Sequence, residues 1–184
     1  MNHPSKNTTH PINLEKLRSG NRKAQHELYS MFAPKMFSLC MRYTSSRQEA
    51  EDLMQEAFIK VFRHLHQYTG VGTFEGWIRK IFVNTALEFL RKRNSWSDCE
   101  TTELKHLPSE SRSGYEEIGL QDTLKMIQSL SDGYRTVFNL YAIEGYSHRE
   151  IAKILNISEG TSKSQLSRAK AILQKSLVLA EKIA

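Results

Sequence analysis

The chain has 184 residues, 39% of them hydrophobic and 25% charged, with a net charge of +6, which is enough for one compact domain or two small ones. Its two cysteines, Cys40 and Cys99, lie in segments of different character and suggest neither a disulfide framework nor a metal cluster, so no metal or other cofactor is expected. MNHPSKNTTHPINL carries no signal peptide and no apolar run approaches the length of a membrane span; the expectation is a cytoplasmic chain with no direct membrane insertion.

In chain order, residues 1–12 are polar, with His3, Pro4, His10 and Pro11, and read as a flexible arm. From Leu14 to Thr44 apolar residues recur at helical spacing: Leu28 and Phe32, then Met36, Phe37, Cys40 and Met41. Pro34 is expected to break or bend that helix, and Cys40 is expected in the core. Ser46 with Glu49 forms a capping-box pattern before a stripe of Ala50, Leu53, Met54, Ala57, Phe58, Val61, Phe62 and Leu65. On another face of the same helix stand Asp52, Gln55, Glu56 and the apolar Ile59. Acids around one apolar residue fit a basic protein partner, although a solvated face with Ile59 widening the buried stripe fits the pattern equally. His64 and His66, two apart, point to different sides of a helix and do not form a chelate.

The segment HQYTGVGT has two glycines and no helical period, so it reads as a shaped loop, with Thr73 capping the next helix. In FEGWIRKIFVNTALEFLRKRN, residues Phe74, Trp77, Ile78, Ile81, Phe82 and Phe89 form the inner face. Tyr68, Arg79, Lys80, Asn84 and the terminal Arg91, Lys92 and Arg93 combine an aromatic, cations and an amide in a manner suited to single-stranded nucleic acid. Favourable placement at a helix C-terminus also accounts for the terminal cluster.

Residues 95–115 are rich in acids and serine without apolar period and read as a flexible acidic linker. Helices resume from Glu116, one with Ile118, Leu120, Leu124, Ile127 and Leu130, the next with Val137, Phe138, Leu140, Tyr141 and Ile143 and ended by Gly145. Ser147 and Glu150 form a second capping box, opening a helix with Ile151, Ala152 and Leu155 on its apolar face. Asn156 suits the left-handed exit, and Ser158 caps a further helix from about Glu159. That last helix buries Leu166, Ala169 and Leu173 and turns Lys163, Ser164, Gln165, Ser167 and Arg168 outward. A short turn between two helices, followed by a short-chained basic face, is helix-turn-helix chemistry for a major groove, against the plainer reading of a helical hairpin with a solvated face. No phosphate loop, HExxH zinc site or nucleophile elbow occurs, so catalysis by this chain is not expected.

Together these motifs resemble the sigma-70 superfamily of bacterial RNA polymerase sigma factors, specifically the two-domain extracytoplasmic-function (ECF) type, over about Asn21 to Leu177. EAEDLMQEAFIKVF resembles the region 2 helix that docks on core RNA polymerase. WIRKIFVNTALEFLRKR resembles the adjoining helix that melts the promoter and reads its minus-10 element, and YSHREIAKILNISEGTSKSQLSRAK resembles region 4, which reads the minus-35 element. The resemblance implies an all-α fold of two small helical domains joined by a flexible linker, with region 2 at 13–94, the linker at 95–115 and region 4 at 116–184. It implies core-polymerase contacts at Asp52, Gln55, Glu56 and Ile59. Minus-10 and single-strand contacts are implied at Tyr68, Arg79, Lys80, Asn84, Arg91, Lys92 and Arg93, and minus-35 contacts at Arg149, Thr161, Lys163, Ser164, Gln165, Ser167 and Arg168. The implied partners are core RNA polymerase, promoter DNA and an anti-sigma factor. Ser162 stands where the family more often has Val and Asn156 where Gly is common, so a less tightly packed corner is expected, and Gln165 replaces a frequent Arg. A stand-alone helix-turn-helix regulator with an N-terminal sensory or dimerisation domain is the alternative.

Overall fold

The computed structural model describes residues 13–93 and 119–183; the arm at 1–12, the acidic linker at 95–115 and Cys99 lie outside the described residues. Helices account for the regular structure of these residues, with no strand among them. The first group comprises α1 (Leu14–Arg18), α2 (Arg22–Tyr43), α3 (Arg47–His64), a 3-10 turn at Leu65–Gln67 and α4 (Phe74–Arg93). The second comprises α5 (Leu120–Ser129), α6 (Asp132–Phe138), a π turn at Asn139–Ile143, α7 (His148–Leu155) and α8 (Glu159–Ile183).

Helices α2, α3 and α4 pack on one another around Leu28, Phe32, Met36, Leu53, Phe58, Ile78, Phe82 and Leu90, all buried. Pro34 does not interrupt α2, which runs unbroken through it. An interior proline costs about 3 kcal/mol. Here Phe32, Met36, Leu39 and Cys40 are buried on either side of it, and each large apolar side chain removed from water returns about 1.5–3 kcal/mol. Tertiary burial therefore outweighs the local penalty.

Local capping sets the helix starts. Ser46 Oγ accepts from Glu49 N–H at 3.2 Å, but the Glu49 carboxylate reaches Ser45 N–H at 2.8 Å, one residue before the position the capping-box pattern calls for. Thr73 Oγ1 accepts from Gly76 N–H at 3.1 Å to open α4. Around α7 the box is complete, with Glu150 N–H on Ser147 Oγ at 3.3 Å and Ser147 N–H on Glu150 Oε2 at 2.8 Å.

The second group holds the largest departure from simple periodicity. The helix after Ser131 widens into a π turn, with Glu144 N–H on the Asn139 carbonyl at 2.9 Å, before Gly145 ends it at φ +79°. Asn139 and Arg135 are buried, although both are polar and neither belongs to an apolar stripe; Arg135 donates to the Gln128 carbonyl at 3.0 Å and to Asp132 of its own helix. Asn139 Nδ2 donates to the Arg42 carbonyl at 2.7 Å, and Gln128 Nε2 to the Met41 carbonyl at 2.9 Å. These are last-turn carbonyls of α2 that have no partner within their own helix. The two groups are thus in contact, and the buried apolar cluster continues from Leu17 in α1 to Leu166 in α8.

Candidate nucleic-acid interface and partner face

Burial of the α3 stripe leaves its opposite side to solvent. Asp52 and Gln55 are exposed, Glu56 is half-buried, and Ile59 is 57% exposed. Ile59 therefore does not widen the core. Glu56 lies 3.1 Å from Lys60, which also donates to Glu88 of α4 at 2.7 Å, so Glu56 helps tie α3 to α4 while Asp52 faces water. His64 is half-buried with Nδ1 at 2.9 Å from the Lys60 carbonyl, and His66 is exposed, so they form no pair.

The loop from Tyr68 to Thr73 is built from within. The Tyr68 ring is buried, packed 5.0 Å from Phe74 and 5.6 Å from Trp77, and its hydroxyl donates to the Gly72 carbonyl at 3.0 Å. Arg18 Nη2 donates to the Tyr68 carbonyl at 2.6 Å. Gly70 and Gly72 have φ of +83° and +76°, a left-handed backbone that glycine adopts without a Cβ clash. Tyr68 is therefore corrected from an open stacking surface to a side chain that shapes the loop: its ring is worth more in the Phe74–Trp77 cluster than in water. Val71, 85% exposed at the tip, is the apolar residue the loop does present.

Along α4, Lys80, Asn84 and Lys92 are exposed. Three arginines of the same set reach the second group of helices instead. Arg79 donates through Nε and Nη2 to both carboxylate oxygens of Glu144, at 2.6 and 2.8 Å. Arg91 Nη2 donates to the Ile154 carbonyl at 2.9 Å, and Arg93 bridges Glu49 at 2.8 Å and Asp132 at 2.5 Å. The hydrogen bonds and charge of Glu144 hold the Arg79 guanidinium above its ordinary pKa despite partial burial. Glu49 is partly buried, which disfavours its charge, yet Ser45 N–H and Arg93 hold its carboxyl below the usual range.

The helix-turn-helix forms where the caps place it. Asn156 sits at φ 55° and ψ 47°, and Ile157 N–H returns to the Ala152 carbonyl at 3.0 Å, closing α7 with a Schellman turn. Ser158 Oγ then accepts from Thr161 N–H at 2.9 Å. Along α8, Ser162, Leu166 and Ala169 are buried, Leu173 is half-buried, and Lys163, Ser164, Ser167 and Arg168 are exposed. Arg149 is exposed beside this face, and Thr161 is half-buried at its start.

Two expectations change here. The corner is not loosened by Ser162: the residue is fully buried and shares a 2.9 Å hydrogen bond with His148 Nδ1, while the His148 ring stacks on Tyr141 at 4.5 Å. Gln165, expected outward, is half-buried with Oε1 lacking a donor, because it borders the Ser162–Leu166–Ala169 stripe. The His148–Ser162 bond joins α7 to α8. Polarity at both positions hid it, since neither residue fits an apolar period.

The chain is similar to known proteins. Residues 28–96 match the family described as Sigma-70 region 2, and residues 120–173 match Sigma-70, region 4. The ECF RNA polymerase sigma-E factor of Escherichia coli K12 is 32% identical over 178 residues, covering 90% of this chain and 93% of that protein. The RNA polymerase sigma-H factor of Pseudomonas aeruginosa is 30% identical over 177 residues, covering 89% and 91% respectively. Among solved structures, the sigma factor RpoE of Bartonella quintana, crystallised with the anti-sigma factor NepR, shares the fold with a TM-score of 0.52 at 24% identity, covering 83% of this chain and 95% of that one. With both regions present in order and relatives 30% and 32% identical over nine-tenths of their length, the chain belongs to the ECF group of the sigma-70 family of RNA polymerase sigma factors.

Proposed function

We propose that the chain is a promoter-specificity subunit in which region 2 (13–94) engages core RNA polymerase and the minus-10 element, and region 4 (116–184) reads the minus-35 element. Asp52, Gln55, Glu56 and Ile59 dock on core polymerase. The observation that carries this is Ile59, 57% exposed among acids on a helix whose other apolar residues are buried or half-buried. An apolar centre with an acidic rim fits a basic protein surface.

Lys80, Asn84, Arg79, Arg91, Lys92 and Arg93 hold the separated non-template strand, with the loop shaped by Tyr68 receiving an unstacked base. Base extrusion costs a few kcal/mol, which stacking and phosphate contacts to the exposed strand offset without nucleotide hydrolysis. Arg149, Thr161, Lys163, Ser164, Ser167 and Arg168 meet bases and phosphates of the minus-35 duplex, with Gln165 at the edge of that face. The factor works in the cytoplasm, performs no catalysis of its own, and is held inactive by an anti-sigma partner; no helix among the described residues is long and apolar enough to cross a membrane.

Co-migration of the purified chain with core polymerase on gel filtration tests the reading. Asp52→Lys should abolish the complex while leaving helix content and duplex binding by region 4 intact. Glu56 is less suited to this test because it also pairs with Lys60. Undiminished co-migration of a folded Asp52→Lys chain would overturn the assignment of the face.

A further inference from the structure

We propose that Lys60 and Glu88 form a release device for the docking face of α3: a cationic side chain of the partner takes the Glu56 carboxylate from Lys60, and Glu88 keeps Lys60 paired meanwhile. The inference rests on the reading of Glu56 as a polymerase contact. Lys60 Nζ lies 3.1 Å from Glu56 Oε1, one turn earlier in α3, and 2.7 Å from Glu88 Oε2 in α4. Two carboxylates therefore share one ammonium, and the closer of them belongs to the other helix. The Lys60 side chain is 21% exposed, against 41% for Glu56 and 49% for Glu88. Partial burial disfavours the charge of Lys60, yet the bonds to Glu88 and Glu56 hold its pKa above the ordinary value, so it remains an ammonium. Of the two acids on the docking face, Glu56 alone is engaged within the chain; Asp52 is exposed, with no ion-pair partner among the described residues.

This arrangement sets how readily Glu56 can change partners. Were Glu56 the only anion beside Lys60, a partner cation would reach it only by leaving a mostly buried ammonium without a counter-charge, and stripping one member from such a pair is strongly unfavourable. With Glu88 in place, Lys60 keeps its closer carboxylate. The exchange at Glu56 then replaces one half-exposed ion pair by another, which docking shields from water and strengthens. The same geometry selects the chemistry of the partner. A neutral amide or hydroxyl would take the place of an ion pair with a weaker hydrogen bond, so it does not displace Lys60. A cation does, and a guanidinium better than an ammonium, because its fork can hold both carboxylate oxygens. The occupant of Glu56 is accordingly a basic side chain, an arginine before a lysine, seated beside the apolar contact at Ile59.

The test titrates labelled core polymerase with variants of the full chain, each compared with the parent for helix content and thermal unfolding. Glu88→Gln should weaken binding about two- to fivefold, the range that partly exposed ion pairs support. Lys60→Met keeps the packing of the stem and removes the ammonium; with Glu56 already free, it should bind at least as tightly as the parent chain. Lys60→Gln should behave alike and serves where the methionine variant folds poorly. Adding Glu88→Gln to either Lys60 variant should then change nothing. That cycle separates the device from a general loss of negative charge, which would weaken binding equally with and without Lys60. Parental affinity of Glu88→Gln, an equal loss in both backgrounds, or weaker binding by a folded Lys60 variant would each overturn the proposal. Glu56→Gln reads the docking role separately. If it binds as the parent does, Glu56 leaves the docking face and the device falls with it; if it binds more weakly while Glu88→Gln does not, the device alone is refuted.

Discussion

Replacing Ile59 by Ala separates partner binding from folding, because its neighbour provides the opposite control. Ile59 is 57% exposed, whereas Phe58 is 3% exposed, with ring centroids 4.7 Å from Tyr29, 6.2 Å from Phe62 and 5.1 Å from Phe82. Complete burial of an isoleucine side chain is worth about 1.5–3 kcal/mol, so with over half of it in water about 1 kcal/mol or somewhat more is left for a partner to collect. Its loss weakens binding about five- to tenfold. Folding stability should change by less than about 0.5 kcal/mol, since the site is exposed and alanine is a good helix former. Phe58→Ala should instead lower stability by about 3–5 kcal/mol, the usual toll of emptying an aromatic site in a core. Titration of labelled core polymerase with each variant, beside its thermal unfolding curve, measures both quantities. The reasoning fails if Ile59→Ala binds core polymerase as tightly as the parent chain, or if its binding falls only in step with its stability.

Asn156→Ala should destabilise the C-terminal group by about 1 kcal/mol or slightly more, because a β-carbon at positive φ has no side-chain amide to compensate it, while Asn156→Gly should stay within about 0.5 kcal/mol; chemical denaturation of the two variants measures the difference. His148→Ala removes both the Ser162 bond and the Tyr141 stack. It should destabilise by about 1–2 kcal/mol and weaken minus-35 duplex binding, whereas duplex binding at the parental level would leave the α7–α8 bond without a role in placing the recognition helix. The carboxyl of Glu49 is held below its ordinary range, so its contribution is full above the unfolded pKa and disappears as pH falls through the lowered folded value. The stability gap between the parent chain and Glu49→Gln should therefore be constant near neutrality and close below about pH 4; a gap that persists in acid would show that the carboxylate charge is not its source.

Much of the site could be read from the sequence because its determinants are local. Ser147, Glu150, Asn156 and Ser158 act on backbone groups within a few residues of themselves, so the helix-turn-helix follows from spacing alone. The exposure of Asp52 and Ile59 follows from the burial of Ala50, Leu53, Ala57 and Phe58 on the other side of one helix. Pro34 and Gln165 went the other way. Their local tendencies, to break a helix and to face water, yield to the packing of Met36 and Leu39 in one case and to the edge of the Ser162–Leu166 stripe in the other.

The sequence by itself determined the helical class, the order of the motifs, the caps and the acidic and basic faces, since each rests on periodicity or on chemistry between neighbours. Only the tertiary structure decided that Tyr68 turns inward, that Ser162 is satisfied by His148, and that the helix after Ser131 widens into a π turn ahead of Glu144. It alone paired Arg79 with Glu144 across 65 residues of chain. The reason is physical: a residue's periodic face is set by its own helix, but the partner of a buried charge is set by whichever element folding brings against it, and no spacing along the chain encodes that distance.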